Sequence, residues 1–406
     1  MSQDNNRKMK DSGIPWIGMI PRDWSSDMIG NLYTLRNEKV SDKDYPPLSV
    51  GKMGVVPQLE TAAKTDDGDN RKLVRVGDFA INSRSDRRGS CGISNYDGSV
   101  SLINTILTPR GEMNPKYFNW FFHTEQFADE FYKWGHGIVD DLWTTRWQEM
   151  KRITISVPPL PTQQRIADFL DRKCAEIDEL AALQETMIAE LKRYKQSVIT
   201  EAVTKGLDPN VPMQDSGVEW IGKIPEGWEV RKIKTMATLK SGNNLTTYDF
   251  LEGEDGYPVY GGNGFRGYFS QYSNDGDFVL IGRQGALCGN INYAHGKFWA
   301  TDHAVVCYPK CEFILTWFGE SLRAMNLNQY SLSSAQPGLS VDRIRELYMV
   351  VPPLSKQRAI AECLDRKCAE IDELIAIKQQ KIEALKEYKK SVIFEYVTGK
   401  KEVESN

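Results

Sequence analysis

The chain has 406 residues, 40% of them hydrophobic, and a formal net charge of −4. That is enough material for two or more cores, and it excludes a global basic field for nucleic acid, though not a local basic patch. No run of about 18 apolar residues predicts a membrane span, the opening MSQDNNRKMKDSG lacks the apolar core of a signal peptide, and the odd count of seven cysteines reads as reduced thiols of a cytoplasmic protein.

In chain order, the first distinctive stretch is DSGIPWIGMIP at 11–21, followed by Trp24. Next come YPPLSVGKMGVV and GDFAINSRSDRRGSCGISNY, in which β-branched or aromatic runs alternate with Gly, Asn and Asp, the pattern of short strands and turns. This first module ends in an aromatic helical stretch, NPKYFNWFFHTEQFADEFYKW. VPPL at 157–160 then opens a long helix, with Thr162 as its N-cap and Gly206 at its exit. Its apolar positions, Ile166, Leu170, Ile177, Leu180, Met187, Leu191, Tyr194 and Val198, follow a heptad seam that Lys173 and Gln184 interrupt.

The linker TKGLDPNVPMQDSG leads to a second module, faintly similar to the first, and a second, closely matching helix. DSGVEWIGKIP at 215–225, with Trp228, repeats the opening block. GDFVLIGR at 276–283 faces GDFAINSR at 77–84; Cys288-Gly289 faces Cys91-Gly92; Pro309 faces Pro109; and Trp317-Phe318 faces Trp120-Phe121. After the helical stretch FILTWFGESLRAMNLNQY, VPPL at 351–354 opens a second long helix, capped by Ser355 and left at Gly399. Its seam is Ile360, Leu364, Ile371, Leu374, Leu385, Tyr388 and Val392, with Lys367, Lys378 and Lys381 on it. LDRKCAEIDEL stands unchanged at 170–180 and 364–374. Repeats of this kind define the architecture.

A helix of about 38 residues is roughly 57 Å long, and a single apolar stripe of that length needs a partner. The expected fold is α+β: β-rich domains at 1–158 and 207–352, and helices at 159–206 and 353–406 that pair as an antiparallel coiled coil. The ends of the chain should lie near each other, with approximate two-fold symmetry.

The polar loops carry the candidate chemistry. Arg84, Arg87 and Arg88 fall in one turn-rich segment, and Arg283 and Gln284 stand at the equivalent point of the second module. Asn263, Arg266 and Lys297 lie in neighbouring loops. Arg reads guanine bidentately and Asn or Gln reads adenine, so such loops suit a DNA groove; the adjacent glycines let backbone approach phosphate. An exposed loop arginine is otherwise simply solvated. No phosphate loop, dinucleotide-binding turn or methyltransferase NPPY-type tetrapeptide is present. His303, Cys307 and Cys311 are four apart, a spacing for metal on a helix, but HAVVCYP reads as a strand, so no metal is expected. With four histidines and no nucleophile–base pattern, the chain reads as non-catalytic.

VPPL before a long helix, twice, with two divergent β-rich modules resembles the specificity (S) subunit of type I restriction-modification systems over essentially the whole chain. YPVYGGNGFRGY…GKFWATDHAVV is similar to a target recognition domain of that family, and DSGVEWIGKIPEGWEV to the segment that opens one. The resemblance implies a DNA-binding subunit that holds no cofactor itself. Each of its two recognition domains reads half of a bipartite site, and its helices space them. Two modification (M) subunits carrying S-adenosylmethionine dock on it, and restriction (R) subunits using ATP and Mg join them. PPLPTQQ and PPLSKQR depart from the family in lacking the acidic residue often found before the glutamine. On these expectations, adding about four residues to both helices lengthens the unread spacer and leaves the half-sites alone.

Two other classes fit part of the pattern. One is a coiled-coil adaptor without DNA, which leaves the recurring arginine-glycine loops unexplained; salt-dependent duplex binding separates it. The other is a stand-alone methyltransferase, which the missing cofactor motifs oppose and cofactor binding by the isolated chain would revive.

Overall fold

The computed structural model describes residues 8–58, 68–84, 87–137, 143–219, 221–246, 249–285, 287–331 and 338–403. The chain forms two compact units. The first comprises residues 1–184 and 380–406, and the second residues 185–379. Each long helix, Leu160–Lys205 and Leu354–Val397, therefore begins in one unit and ends in the other.

The first unit opens with a two-stranded ribbon, Met9–Asp11 against Met19–Pro21. Its main sheet is antiparallel, in the order Cys91–Ile93, Phe79–Asn82, Asn104–Pro109, Tyr33–Arg36. Strand Ser25–Met28 pairs with Thr154–Val157, so the module closes on itself just before the long helix starts. The core under the sheet is aromatic: Phe79, Phe118, Phe122 and Phe127 interlock around Tyr33, with Phe79 and Phe122 ring centroids 4.5 Å apart. Asp78 of the GDF motif is buried and accepts from Arg36 Nε at 2.7 Å. That hydrogen bond raises the Arg36 pKa above its ordinary value.

The second unit repeats this plan. It has a ribbon, Met213–Asp215 with Lys223–Pro225, and a closing pair, Glu229–Lys232 with Tyr348–Val351. Its main sheet runs Ala237–Ser241, Ala304–Pro309, Phe278–Gly282, Ile291–Ala294. A second sheet carries the hairpin Tyr257–Gly261 and Gly264–Phe269, with Lys297–Ala300 parallel to the first of these strands.

Strand register corrects two of the sequence alignments. Asn82 pairs with Asn104 and Gly282 with Ala304, so Arg84 corresponds to Gln284 and Ser83 to Arg283, one residue off the GDF match. The helices that follow start at Pro115 and Leu315, so Tyr117-Phe118, not Trp120-Phe121, corresponds to Trp317-Phe318. Pairing to the neighbouring strand sets the register, and loop length absorbs the difference.

Within each unit the two long helices run antiparallel. In the first, Lys389 Nζ meets Asp178 at 2.6 Å and the Phe169 and Tyr396 rings stand 4.3 Å apart. In the second, Lys195 meets Asp372 at 2.6 Å, and Ala202 and Leu364 share one core. Each 194-residue step of the repeat maps one of these ion pairs onto the other. The helices end on Gly206 and Gly399, both at positive φ, where a Cβ would lie 3.1 Å from Trp228 and from Trp24 respectively. Lys400 Nζ donates to the carbonyls of Ile17 and Met19, so the described ends of the chain lie together as expected.

The predicted seam is only partly the buried one. Ile166, Leu170, Ile177, Ile360, Leu364 and Ile371 are buried, and Leu191 and Leu385 half-buried. Leu180, Tyr194, Leu374 and Tyr388 are instead 45–57% exposed. The buried line continues from Leu170 through Cys174, Ile177, Ala181, Gln184, Ile188, Leu191 and Lys195 in steps of four and three. It uses a cysteine, a glutamine and a lysine stem where hydropathy sees interruptions, so counting only apolar residues slides one position aside. Leu180→Ser or Tyr388→Ser is therefore expected to shift stability by no more than about 0.5 kcal/mol in chemical denaturation. A loss as large as that of Ile177→Ala would return them to the seam.

Candidate nucleic-acid interface

In the second unit the hairpin tip and the loop after Phe278–Gly282 are packed backbone to backbone. A Cβ on Gly282 would lie 2.1 Å from the Gly262 carbonyl oxygen, and one on Gly262 3.1 Å from that of His303 and 3.3 Å from that of Gln284. At Gly282 only glycine allows this approach. Asn290 Nδ2 donates to Asn263 Oδ1 at 3.0 Å and ties the tip to the far side of the loop. The Arg283 backbone N–H donates to the His303 carbonyl at 2.8 Å, and its own carbonyl accepts from Leu339 N–H at 2.9 Å. Its guanidinium Nη1 donates to Ser241 Oγ at 3.2 Å.

The result is one rigid edge. Asn263, Arg266 and Gln284 are exposed on it and Arg283 is half-buried behind them. A register shift between Val259 and Tyr260 bends the hairpin, and both Phe265 and Arg266 emerge into solvent. The Arg266 guanidinium lies 5.9 Å from the Phe250 ring centroid. A planar cation, two amides and an exposed ring on rigid backbone can form directional hydrogen bonds and apolar contacts with base edges.

Lys297 is not part of this edge. It starts strand Lys297–Ala300, pairs across from Asp275, and stands 4.8 Å from the Tyr272 ring centroid. The opposite end of that strand, through Thr301 N–H to the Tyr260 carbonyl, meets the hairpin. At about 3.3 Å per residue, Lys297 lies roughly 10 Å away along the strand.

In the first unit, Arg84, Arg87 and Arg88 are all exposed in the corresponding loop. Arg84 N–H donates to Asn82 Oδ1, Thr145 N–H donates to the Ser83 carbonyl, and Arg87 N–H donates to the Arg84 carbonyl. Arg88 turns to helix Glu125–Lys133 and forms an ion pair with Asp129. Arg84 and Arg87 are thus joined by a backbone hydrogen bond, and Arg88 pairs with the neighbouring helix. Residues 85–86 of SRSDRRG lie outside the described residues.

Sequence reasoning missed Ser241, Asn290 and Phe265. Phe265 sits inside the GGNGFRGY stretch between two chosen residues, and its signal was a large ring among turn formers. Ser241 and Asn290 are distant in sequence and only the fold brings them in. Among the described residues no group of three or more His, Cys, Asp or Glu could hold a metal, and no helix is long and apolar enough to cross a membrane. His303, Cys307 and Cys311 lie on or beside strand Ala304–Pro309, with Cys307 buried.

The family described as "Type I restriction modification DNA specificity domain" matches residues 21–193 and 225–387. The chain is 44% identical to the EcoprrI type I restriction enzyme specificity subunit of Escherichia coli over 131 residues, 32% of this chain and 33% of that one. It is 24% identical to the MjaVIII specificity subunit of Methanocaldococcus jannaschii over 278 residues, 62% of each. The alignments thus span about a third and about three fifths of those two relatives. Among solved structures, a chain from a study of complex assembly and conformational transition of the type I R-M system superposes with TM-score 0.73 at 14% identity, covering 93% of this chain and 98% of that one. The HsdS subunit of Thermoanaerobacter tengcongensis gives 0.54 at 14% identity, over 94% and 98%. At these identities the superpositions establish the fold alone.

Proposed function

Because this chain belongs to the type I restriction-modification DNA specificity family, matched over both of its modules, we propose that it reads a bipartite, asymmetric duplex site and holds there the subunits that act on it. Each module reads one half-site. The edge bearing Asn263, Arg266, Arg283 and Gln284 serves one, and Arg84 and Arg87 the other. The modules differ, so the half-sites differ. The observation that carries this reading is the backbone-locked edge of the second unit, which presents base-reading side chain types on a frame that only glycine permits.

The repeated helices are the docking surface. The exposed apolar residues of the helices repeat: Leu180, Leu183 and Tyr388 in the first unit, and their equivalents Leu374, Ile377 and Tyr194 in the second. Tyr194 and Leu374 line one open groove of about 430 Å³. Two equal apolar patches rimmed by charge suit two copies of one partner. In this reading those partners are two M subunits, which bring S-adenosylmethionine and methylate adenine N6. R subunits with ATP and Mg complete the assembly in the cytoplasm, and this chain contributes recognition and no cofactor.

The test is a map of N6-methyladenine across the host genome with this gene intact and with it deleted. The expected result is one bipartite, asymmetric motif that loses its methylation on deletion. An unchanged map in a host with an active modification subunit would reject the reading.

A further inference from the structure

Outside the recognition loops, one repeated contact is made by a buried glutamine. Gln163 and Gln357 occupy the same place in VPPLPTQ and VPPLSKQ, three residues into the long helices, and are only 4% and 3% exposed. Each makes the same two bonds. Gln163 Nε2 donates to the Pro158 carbonyl at 2.9 Å and its Oε1 accepts from Asn114 N–H at 2.8 Å. Gln357 Nε2 donates to the Pro352 carbonyl at 2.9 Å and its Oε1 accepts from Ile314 N–H at 3.0 Å.

The backbone groups so joined come from three different segments. Pro158 and Pro352 follow the closing strands, Asn114 and Ile314 cap the helices at the end of each recognition sheet, and the glutamine belongs to the long helix. A buried amide that satisfies one donor and one acceptor costs little while both bonds hold and more when one is lost. Such a group therefore favours one relative position of module and helix over its neighbours. A leucine in its place would keep the packing and lose both directional bonds.

We propose that Gln163 and Gln357 are positioning residues for site recognition: each locks its module to its long helix and so fixes the number of base pairs between the two half-sites. This rests on the specificity reading and adds which residues set the tolerance of the spacer. The two locks are unequal. In the first unit Asn114 Nδ2 also donates to Gln164 Oε1, and the Asn114 side chain caps its own helix by accepting from Tyr117 N–H. In the second unit the cap residue Ile314 has no side-chain cap, and Arg358 stands where Gln164 does. Loss of Gln357 should therefore be felt more than loss of Gln163.

The experiment uses the assembled complex carrying Gln357→Met or Gln163→Met, near in volume and unable to make either bond. Methylation is scored on plasmids that hold both half-sites with the native spacer and with one base pair more or less. For Q357M the expected result is at least a ten-fold rise in methylation of off-length sites relative to the native length, with both half-site sequences unchanged. Q163M should give a smaller rise. Should Q357M fail to accumulate, Gln357→Glu keeps the acceptor for Ile314 N–H and loses the donor, and must widen the spacer tolerance likewise. An even fall at all spacer lengths, in step with a lower melting temperature, would overturn the proposal and leave a purely structural role. The wild-type complex separates the two layers: if it methylates no bipartite site at all, the specificity reading has failed rather than the lock.

Discussion

Gly282→Ala is expected to abolish reading of the second module's half-site while the first module keeps its own. The new methyl would sit 2.1 Å from the Gly262 carbonyl oxygen and 3.2 Å from that of Leu287, both backbone atoms that no rotamer change can move. The hairpin tip must lift, and with it Asn263 and Arg266 separate from Gln284. Overpacking of this kind costs about 1–3 kcal/mol in stability, so the unit should still fold. Recognition depends on placement to a fraction of an ångström and should suffer far more, falling by two orders of magnitude or beyond. The position does not demand glycine for its strand: Asn82 fills it in the first unit and pairs normally with Asn104. The glycine is there for the hairpin tip. Methylation assays on sites with either half scrambled would check this. Wild-type discrimination at the second half-site in G282A, with the melting temperature lowered, would remove the tip from the recognition surface.

Insertion of one heptad into both long helices, after Gln184 and after Lys378, is expected to lengthen the unread spacer by about three base pairs. Seven residues add roughly 10.5 Å at 1.5 Å each, against 3.4 Å per base pair. A whole heptad suits the helices better than the four residues considered above, because the buried line repeats in steps of four and three through Gln184 and Ile188. A four-residue insertion leaves that line about 40° out of phase, whereas seven leaves it about 20° out, which supercoiling absorbs. The half-site sequences should not change, since neither recognition edge touches the inserted turns. A genome map in which the half-sites change while the spacer stays would defeat the idea that the helices act as a ruler. Insertion into one helix alone should mismatch the ion pairs Asp178–Lys389 and Lys195–Asp372 and unfold the pair.

The large features were legible because repetition is robust to local error. The duplicated helices stand where the sequence places them, although they begin at Leu160 and Leu354, so Thr162 and Ser355 lie inside them and do not cap them. What escaped depended on phase. The helix seam passes through Cys174, Gln184 and Lys195, residues whose burial is decided by the opposite helix and not by their own hydropathy. The strand register of the second module is offset by one residue because neighbouring strands, not identical letters, decide what faces what. In sequence Lys297 reads as a neighbour of the recognition loops because a strand end and a strand start look alike; in the fold it stands at the far end of its strand from the hairpin. The glutamine locks were visible as a shared letter in VPPLPTQ and VPPLSKQ, but a shared glutamine in a repeated helix has no meaning until its two backbone partners are known.

The sharing of the long helices has a consequence for synthesis on the ribosome. The second unit is one continuous stretch, 185–379, and can complete its core as soon as it emerges. The first unit begins earlier and finishes last, because its core includes Val392 and Val397 and the Tyr117 hydroxyl donates to the Val397 carbonyl. The 195 residues from 185 to 379 separate its two pieces, and at about 5–20 residues per second they take roughly 10–40 seconds to make. During that interval the aromatic core of the first unit lacks only the closing contribution of Val392 and Val397. The module translated first is thus the module that matures second, and early termination near the C-terminus damages the N-terminal domain while sparing the one beside it.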